Sequence, residues 1–377
     1  MNPAWDIFCK VVDNFGDIGV CWRLARQLQS EHGARVRLWV DDLAAFRRIN
    51  GAIDSAAAVQ VSHGVEVHRW TDPLPAIEPA DVIVETFGCD VPEAYLAAMA
   101  RRASRPVWIN LEYLSAEAWV TGCHGLPSPH PRLPLTRYFF FPGFVEGTGG
   151  LLRERGLPQA RAAFARSPAA HAALWAQLGL RAPLRDELNA LLFCYENPAL
   201  PELLDCWANG TEAIRCLMPQ GRAAQQALAW FGQDAAGGCR RGRLTLQPLP
   251  FVDQQRFDEL LWACDVKFVR GEDSFVRAQW AAKPFVWHIY PQKENAHWVK
   301  LNAFIDSYVA AMEAPAAQAL RGFWRSWVGG RGAAANWPAF RAHFERFTTH
   351  AQVWAEHQQE REDLAAALVR FCQNLLK

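Results

Sequence analysis

Short apolar runs rich in β-branched residues recur along this chain with amphipathic stretches between them, and the alternation occurs twice. That pattern belongs to parallel strands joined by helices. In the first set, strands are predicted at residues 7–12, 36–40, 65–68, 82–85, 107–110 and 138–141. Helical spacing is clearest over residues 18–29, where Val20, Cys21, Leu24 and Leu28 share one face and Arg23, Arg26 and Gln27 point away. From 151 to 189 the composition shifts to Ala, Arg and Leu with no strand signal, a helical passage that puts a domain boundary near it. A second set follows, with strands predicted at 191–195, 213–218, 244–246, 265–269 and 285–289. The simplest architecture is two Rossmann-like α/β domains, 1–180 and 181–377, facing across a cleft. Residues 329–332 are a glycine-rich breaker, and 338–377 read as helices only, placed to pack back on the N-terminal domain.

The length of 377 residues exceeds what one core usually organises, in keeping with two domains. No apolar run is long enough to cross a bilayer and residues 1–10 do not resemble a secretory leader, so a cytoplasmic, membrane-free protein is expected. Lys plus Arg and Asp plus Glu both number 39, which leaves no global field to gather nucleic acid. The ten cysteines are scattered, several inside apolar runs, and read as reduced core thiols. No Cys-x-x-Cys pair exists, and Cys123–His124 has no second ligand pair at zinc-like spacing, so neither metal nor cofactor is expected.

Two segments carry chemistry. Asp13-Asn14-Phe15-Gly16-Asp17-Ile18-Gly19 lies between the first predicted strand and helix, at the strand's carboxyl end, where open α/β sheets place their ligands. Gly16 and Gly19 allow a tight turn, and Asp13 and Asp17 supply two carboxylates from one loop. The Gly-x-Gly-x-x-Gly order of dinucleotide sites is absent, and carboxylates there would repel pyrophosphate, so the loop is suited to a cation or a hydroxyl. A purely structural reading, with Asp17 capping the helix, stays open.

The second segment, Arg270-Gly271-Glu272-Asp273-Ser274-Phe275-Val276-Arg277, is again a strand-to-helix turn. Helix N-termini present unpaired amides and a partial positive charge. The amides of Asp273 and Ser274, with the Ser274 hydroxyl and Arg270, are therefore suited to a diphosphate. Glu272 is placed to bind ribose hydroxyls, as acidic residues do in nucleotide folds. Phe251 and Gln254 offer a ring and an amide to a pyrimidine, and Tyr195 ends the first strand of this domain and points to the same strand-end cleft. Capping and core packing are the competing readings of these residues.

Residues 6–28, from Asp-Ile-Phe-Cys-Lys-Val-Val-Asp-Asn-Phe-Gly-Asp-Ile-Gly to Arg-Gln-Leu, closely resemble the elongation factor P arginine rhamnosyltransferases. So do residues 270–280, Arg-Gly-Glu-Asp-Ser-Phe-Val-Arg-Ala-Gln-Trp, and the likeness spans nearly the whole chain. The resemblance implies an inverting GT-B enzyme that moves L-rhamnose from dTDP-β-L-rhamnose to an arginine of elongation factor P. By the same resemblance Asp17 is the catalytic carboxylate and Asp13 its partner. Glu272 binds ribose, Asp273 and Ser274 the diphosphate, and Tyr195, Phe251 and Gln254 the nucleotide end. Composition and spacing alone leave two rivals: a GT-B transferase with another donor or acceptor, and a non-catalytic nucleotide-sugar-binding protein.

Overall fold

The computed structural model describes residues 3–13, 15–232 and 238–376, and the chain divides into two compact units. Unit 1 comprises Met1–Arg155 and Gln358–Lys377, and unit 2 comprises Gly156–His357. The division falls 25 residues before the position that composition suggested, because helices Leu157–Ala165 and Pro168–Gln177 pack within unit 2, where Phe164 meets Trp262 at 5.6 Å.

Unit 1 is built on an eight-stranded sheet of β1 (Ala4–Cys9), β2 (Arg35–Val40), β3 (Val59–Ser62), β4 (Val65–Arg69), β5 (Val82–Thr86), β6 (Val107–Leu111), β7 (Pro127–Pro129) and β8 (Thr136–Phe140). Their spatial order is β3-β4-β2-β1-β5-β6-β8-β7. All pairings are parallel except the two edge hairpins, β3 with β4 and β7 with β8. The chain moves from β1 to β2 in one direction and continues with β5 on the other side, so the sheet reverses its order between β1 and β5. Helix Gly16–His32 covers one face, its buried stripe running from Ile18 through Leu28. The other face is packed by Phe8, Trp39, Ile83, Tyr95 and Trp108.

Unit 2 repeats the plan with six strands: β9 (Glu187–Leu192), β10 (Ala213–Pro219), β11 (Cys239–Arg241), β12 (Leu244–Leu249), β13 (Val266–Arg270) and β14 (Phe285–His288). The order is β11-β12-β10-β9-β13-β14, and the reversal lies between β9 and β13. Aromatic rings fill its core in two sets, Phe268 with Trp327, and Phe275, Phe285, Phe304 and Trp324 in a continuous run of contacts. All ten cysteines are free thiols. Among the described residues no helix is long and apolar enough to cross a membrane.

Two predicted strands are displaced by several residues, for the same reason. The first runs over Ala4–Cys9 rather than 7–12, because the amides of Val11 and Val12 bond to the carboxylates of Asp41 and Asp17 instead of to a neighbouring strand. The first strand of unit 2 starts at Glu187, ahead of the predicted 191, because buried Glu187 and Asn189 interrupt the apolar run; Arg181 pairs with Glu187, and Asp265 accepts from Asn189. The short strands β3, β7 and β11, all antiparallel edges, carry no long apolar run and were not predicted.

The end of the chain returns to unit 1. Helix Leu364–Leu375 lies against helix Gly16–His32, with Gln27 donating to Asp363 at 3.0 Å and the Leu364 amide to Leu151 O at 3.0 Å. Gly150 permits this seam: its φ is 73°, and a Cβ there would come within 2.3 Å of Glu362 O. Gly150→Ala therefore meets both left-handed strain, about 1–3 kcal/mol, and a backbone clash. A clearly lower urea unfolding midpoint is expected, and an unchanged midpoint would show that the seam is dispensable.

Candidate active site

In unit 1 the loops after β1 and β5 flank the point of strand reversal, the place where open α/β sheets form their ligand crevice. Asp17 is the second residue of helix Gly16–His32 and only 4% exposed. Its Oδ2 accepts both the Val12 and the Asp13 amides at 2.8 Å, folding the loop back over the helix start. Among the described residues, nothing donates to Oδ1. Burial raises the Asp17 pKa above its ordinary value, the two amides oppose this, and the nearby Asp41 charge adds to the rise.

Asp13 stands beside it. The Gly16 amide donates to Asp13 O at 2.8 Å, and a Cβ on Gly16 would come within 3.0 Å of Asp13 Oδ2. Glycine at 16 therefore leaves room for the second carboxylate. Asn14, between them in the motif, lies outside the described residues. The capping alternative for Asp17 is not what the structure contains: the N-cap position is Phe15, and Asp17 bonds backward to loop amides rather than to the first-turn amides of its own helix.

In unit 2 the loops after β9 and β13 flank the corresponding reversal. Gly271 has φ 60°, and its carbonyl accepts from Trp287 Nε1 at 2.9 Å, which pins the turn between β13 and helix Asp273–Trp280. The buried Ser274 hydroxyl accepts the Arg270 amide at 3.1 Å and donates to Arg270 O. Its one proton is thereby committed, so what Ser274 offers an anion in this arrangement is its amide at the helix start. Glu272 is the N-cap residue and pairs with Lys300 Nζ at 3.3 Å. Gln254, the first residue of helix Gln254–Ala263, donates to Asp273 Oδ2 at 3.4 Å, which joins two of the expected donor residues directly.

An aromatic wall completes this end. The Arg270 guanidinium lies 4.7 Å from the Tyr195 ring centroid and 5.4 Å from that of Phe193. Tyr195 in turn packs edge-on against His288 at 5.3 Å and Tyr290 at 5.5 Å. Burial, then Arg270 and His297, push the His288 pKa down to about 3, so it is neutral at ordinary pH. Phe251 sits half-buried just before helix Gln254–Ala263. Unit 2 thus gathers Tyr195, Gln254, Arg270, Glu272, Asp273 and Ser274 around one strand-end turn. Phe193, His288, Tyr290 and Lys300 were not singled out from the sequence. The ends of β9 and β14 were the available signal for the first three, whereas Lys300 is brought in by tertiary structure alone.

Among the described residues no group of three or more His, Cys, Asp or Glu side chains is arranged to hold a metal. The arrangement offers anionic acceptors at one strand-end loop of unit 1, and helix-end amides, a guanidinium and edge-packed rings at that of unit 2.

Comparison with known proteins gives this arrangement a context. Residues 5–373 match the family described as Elongation-Factor P (EF-P) rhamnosyltransferase EarP. The chain is 50% identical to a protein-arginine rhamnosyltransferase of Pseudomonas putida over 379 residues, covering all of both proteins. It is 48% identical to one of Pseudomonas aeruginosa over 98% of each. A solved structure described as the basis for EarP-mediated arginine glycosylation of translation elongation factor EF-P superposes with a TM-score of 0.70 at 37% identity, covering 99% of each chain. HepE of Anabaena in complex with UDP and glucose superposes at 0.50 with 11% identity over 99% of each chain, a likeness of fold alone. The two parallel-sheet units in series are the GT-B fold.

The turn that carries Ser274 is held from beneath by a buried ion pair, Arg277 Nε and NH2 to the two oxygens of Asp258 at 2.9 and 2.7 Å. Asp258→Leu leaves a buried guanidinium without its carboxylate and is expected to destabilise the protein by about 3–5 kcal/mol. Adding Arg277→Met should recover most of that loss in urea unfolding; a single variant as stable as wild type would show that the pair holds nothing.

Proposed function

The chain belongs to the elongation factor P (EF-P) rhamnosyltransferase family, EarP, and on that premise we propose that it is an inverting glycosyltransferase. In this reading it transfers L-rhamnose from dTDP-β-L-rhamnose to an arginine side chain of EF-P. The observation that carries the reading is Asp17, a buried carboxylate fixed through one oxygen at the strand reversal of unit 1 with the other oxygen left for a cation. A nucleotide-binding protein without transfer chemistry has no use for that group.

The acceptor sets the chemical problem. A guanidinium is delocalised and stays protonated in proteins, so its nitrogen is a poor nucleophile. Outright removal of its proton by an ordinary carboxylate faces a mismatch of about nine pKa units, roughly 12 kcal/mol. Burial of Asp17 narrows this gap without closing it. Asp17, with Asp13 beside it, therefore orients the guanidinium by charge-assisted hydrogen bonds and accepts its proton late, while the C–N bond forms. The bond from the anomeric carbon to the diphosphate oxygen breaks on the opposite side, and dTDP leaves with the electron pair. Attack from that opposite side inverts the anomeric configuration.

Unit 2 serves the leaving group. The amides of Asp273 and Ser274 and the Arg270 guanidinium take the growing diphosphate charge, a role that calls for no metal. Glu272, oriented by Lys300, takes a pentose hydroxyl, and Phe251, Gln254 and Tyr195 take the base end.

Incubation of EF-P with the protein and dTDP-β-L-rhamnose should add one deoxyhexose by intact mass, and Asp17→Asn should abolish the addition. The amide oxygen of asparagine still accepts the Val12 and Asp13 amides, so dTDP binding measured by calorimetry should stay near wild type. Transfer by Asp17→Asn at the wild-type rate would sink the assignment.

The raised Asp17 pKa sets a second test. Transfer needs the ionised carboxylate, so the rate should fall on the acid side at a pH above the ordinary aspartate value. Asp41→Asn removes a charge that raises this pKa while keeping an oxygen for the Val11 amide, and should move the acid limb to lower pH. A limb that does not move would detach it from Asp17.

A further inference from the structure

The loop after β5, on the other flank of the reversal in unit 1, contains a backbone anomaly. Phe87 has φ 56° and Asp90 φ 55°, with Gly88 at 65° between them. A left-handed aromatic residue is a true outlier, and such strain persists only where the surroundings impose it. Here the Phe87 amide donates to Leu111 O at 2.8 Å, and the Thr86 hydroxyl to Phe8 O at 2.6 Å, tying the ends of β5, β6 and β1 together. The outcome of that conformation is a ring pair. Phe87 stacks on Tyr113, just beyond β6, with centroids 4.6 Å apart and planes 18° from parallel.

This pair is not core packing. Neither ring belongs to the aromatic cluster beneath the sheet, and Tyr113 is 37% exposed. Since β1, β5 and β6 are consecutive strands, the end of β6, two residues before Tyr113, stands about 10 Å from the end of β1, two strand spacings away. That is the side of the sheet on which the loop of Asp13 and Asp17 begins.

We propose that the Phe87–Tyr113 pair is a platform on which the acceptor's guanidinium lies flat, edge turned toward Asp13 and Asp17, so that the site selects arginine over lysine. The proposal rests on the acceptor reading given above. A guanidinium is planar and weakly hydrated, so it can stack on an aromatic face while its in-plane N–H groups remain available to carboxylates. A compact ammonium gains the charge interaction and loses the stacked area. Carboxylates alone attract both cations; the stacked rings supply the discrimination, and they justify the strain at Phe87.

The test compares binding of two acceptors, EF-P with its target arginine and EF-P with lysine at that position, to wild-type protein and to Tyr113→Ala. Loss of the ring is expected to weaken the arginine acceptor about tenfold and the lysine acceptor much less, so the ratio between them collapses. Tyr113→Phe, which keeps the ring, should keep the ratio, and urea unfolding midpoints near wild type report that the variants are folded. Equal weakening of both acceptors, or no weakening, overturns the platform while leaving the functional reading intact. Wild-type protein that adds no deoxyhexose to EF-P overturns that reading, and the platform with it.

Discussion

The strand-end loop of unit 1 depends on one carboxylate oxygen receiving two backbone amides. Asp17 Oδ2 takes the amides of Val12 and Asp13, which would otherwise continue the strand or face solvent. The same bonds shape the loop and aim the side chain, so loop geometry and chemistry cannot vary independently. Burial costs the charged form and the amides offset part of that cost, leaving a carboxylate still able to ionise yet more basic than an exposed one. The short reach of aspartate from the helix's second residue makes this possible.

Unit 2 fills the same position with a neutral side chain. Ser274 is also the second residue of a helix that follows a strand at a sheet reversal, and it too bonds back to the residues before the helix. Being neutral, it closes the turn without adding a charge of its own, beside Arg270, the Glu272–Lys300 pair and Asp273. One fold device is thus repeated in two units, with a charged side chain closing the turn in one and a neutral hydroxyl in the other.

The sequence disclosed the α/β alternation and both strand-to-helix turns, because these depend on local composition and on glycine, aspartate and serine at turn positions. It misplaced the end of β1 and the start of β9, since the hydrogen bonds that mark them go to side chains distant in sequence, Asp41 and Asp265. It set the boundary too late because helices Leu157–Ala165 and Pro168–Gln177 carry no mark of which unit they pack on. It named Ser274 as a hydroxyl donor, a role that the bond to Arg270 O preempts. Phe87 was invisible for another reason: nothing in Thr-Phe-Gly-Cys-Asp announces a left-handed phenylalanine, which arises from the clamp to Leu111 O and the ring of Tyr113.

The return of Gln358–Lys377 to unit 1 has a consequence for biosynthesis. Unit 2 is contiguous in the chain and has all its strands as soon as it leaves the ribosome. Unit 1 emerges earlier, but the bonds from Gln27 to Asp363 and from Leu364 to Leu151 O await residues made after the whole of unit 2. The helix bearing Asp17 thus acquires this packing partner only after all of unit 2 has been made, and a polypeptide cut short within unit 2 carries unit 1 in an unfinished state.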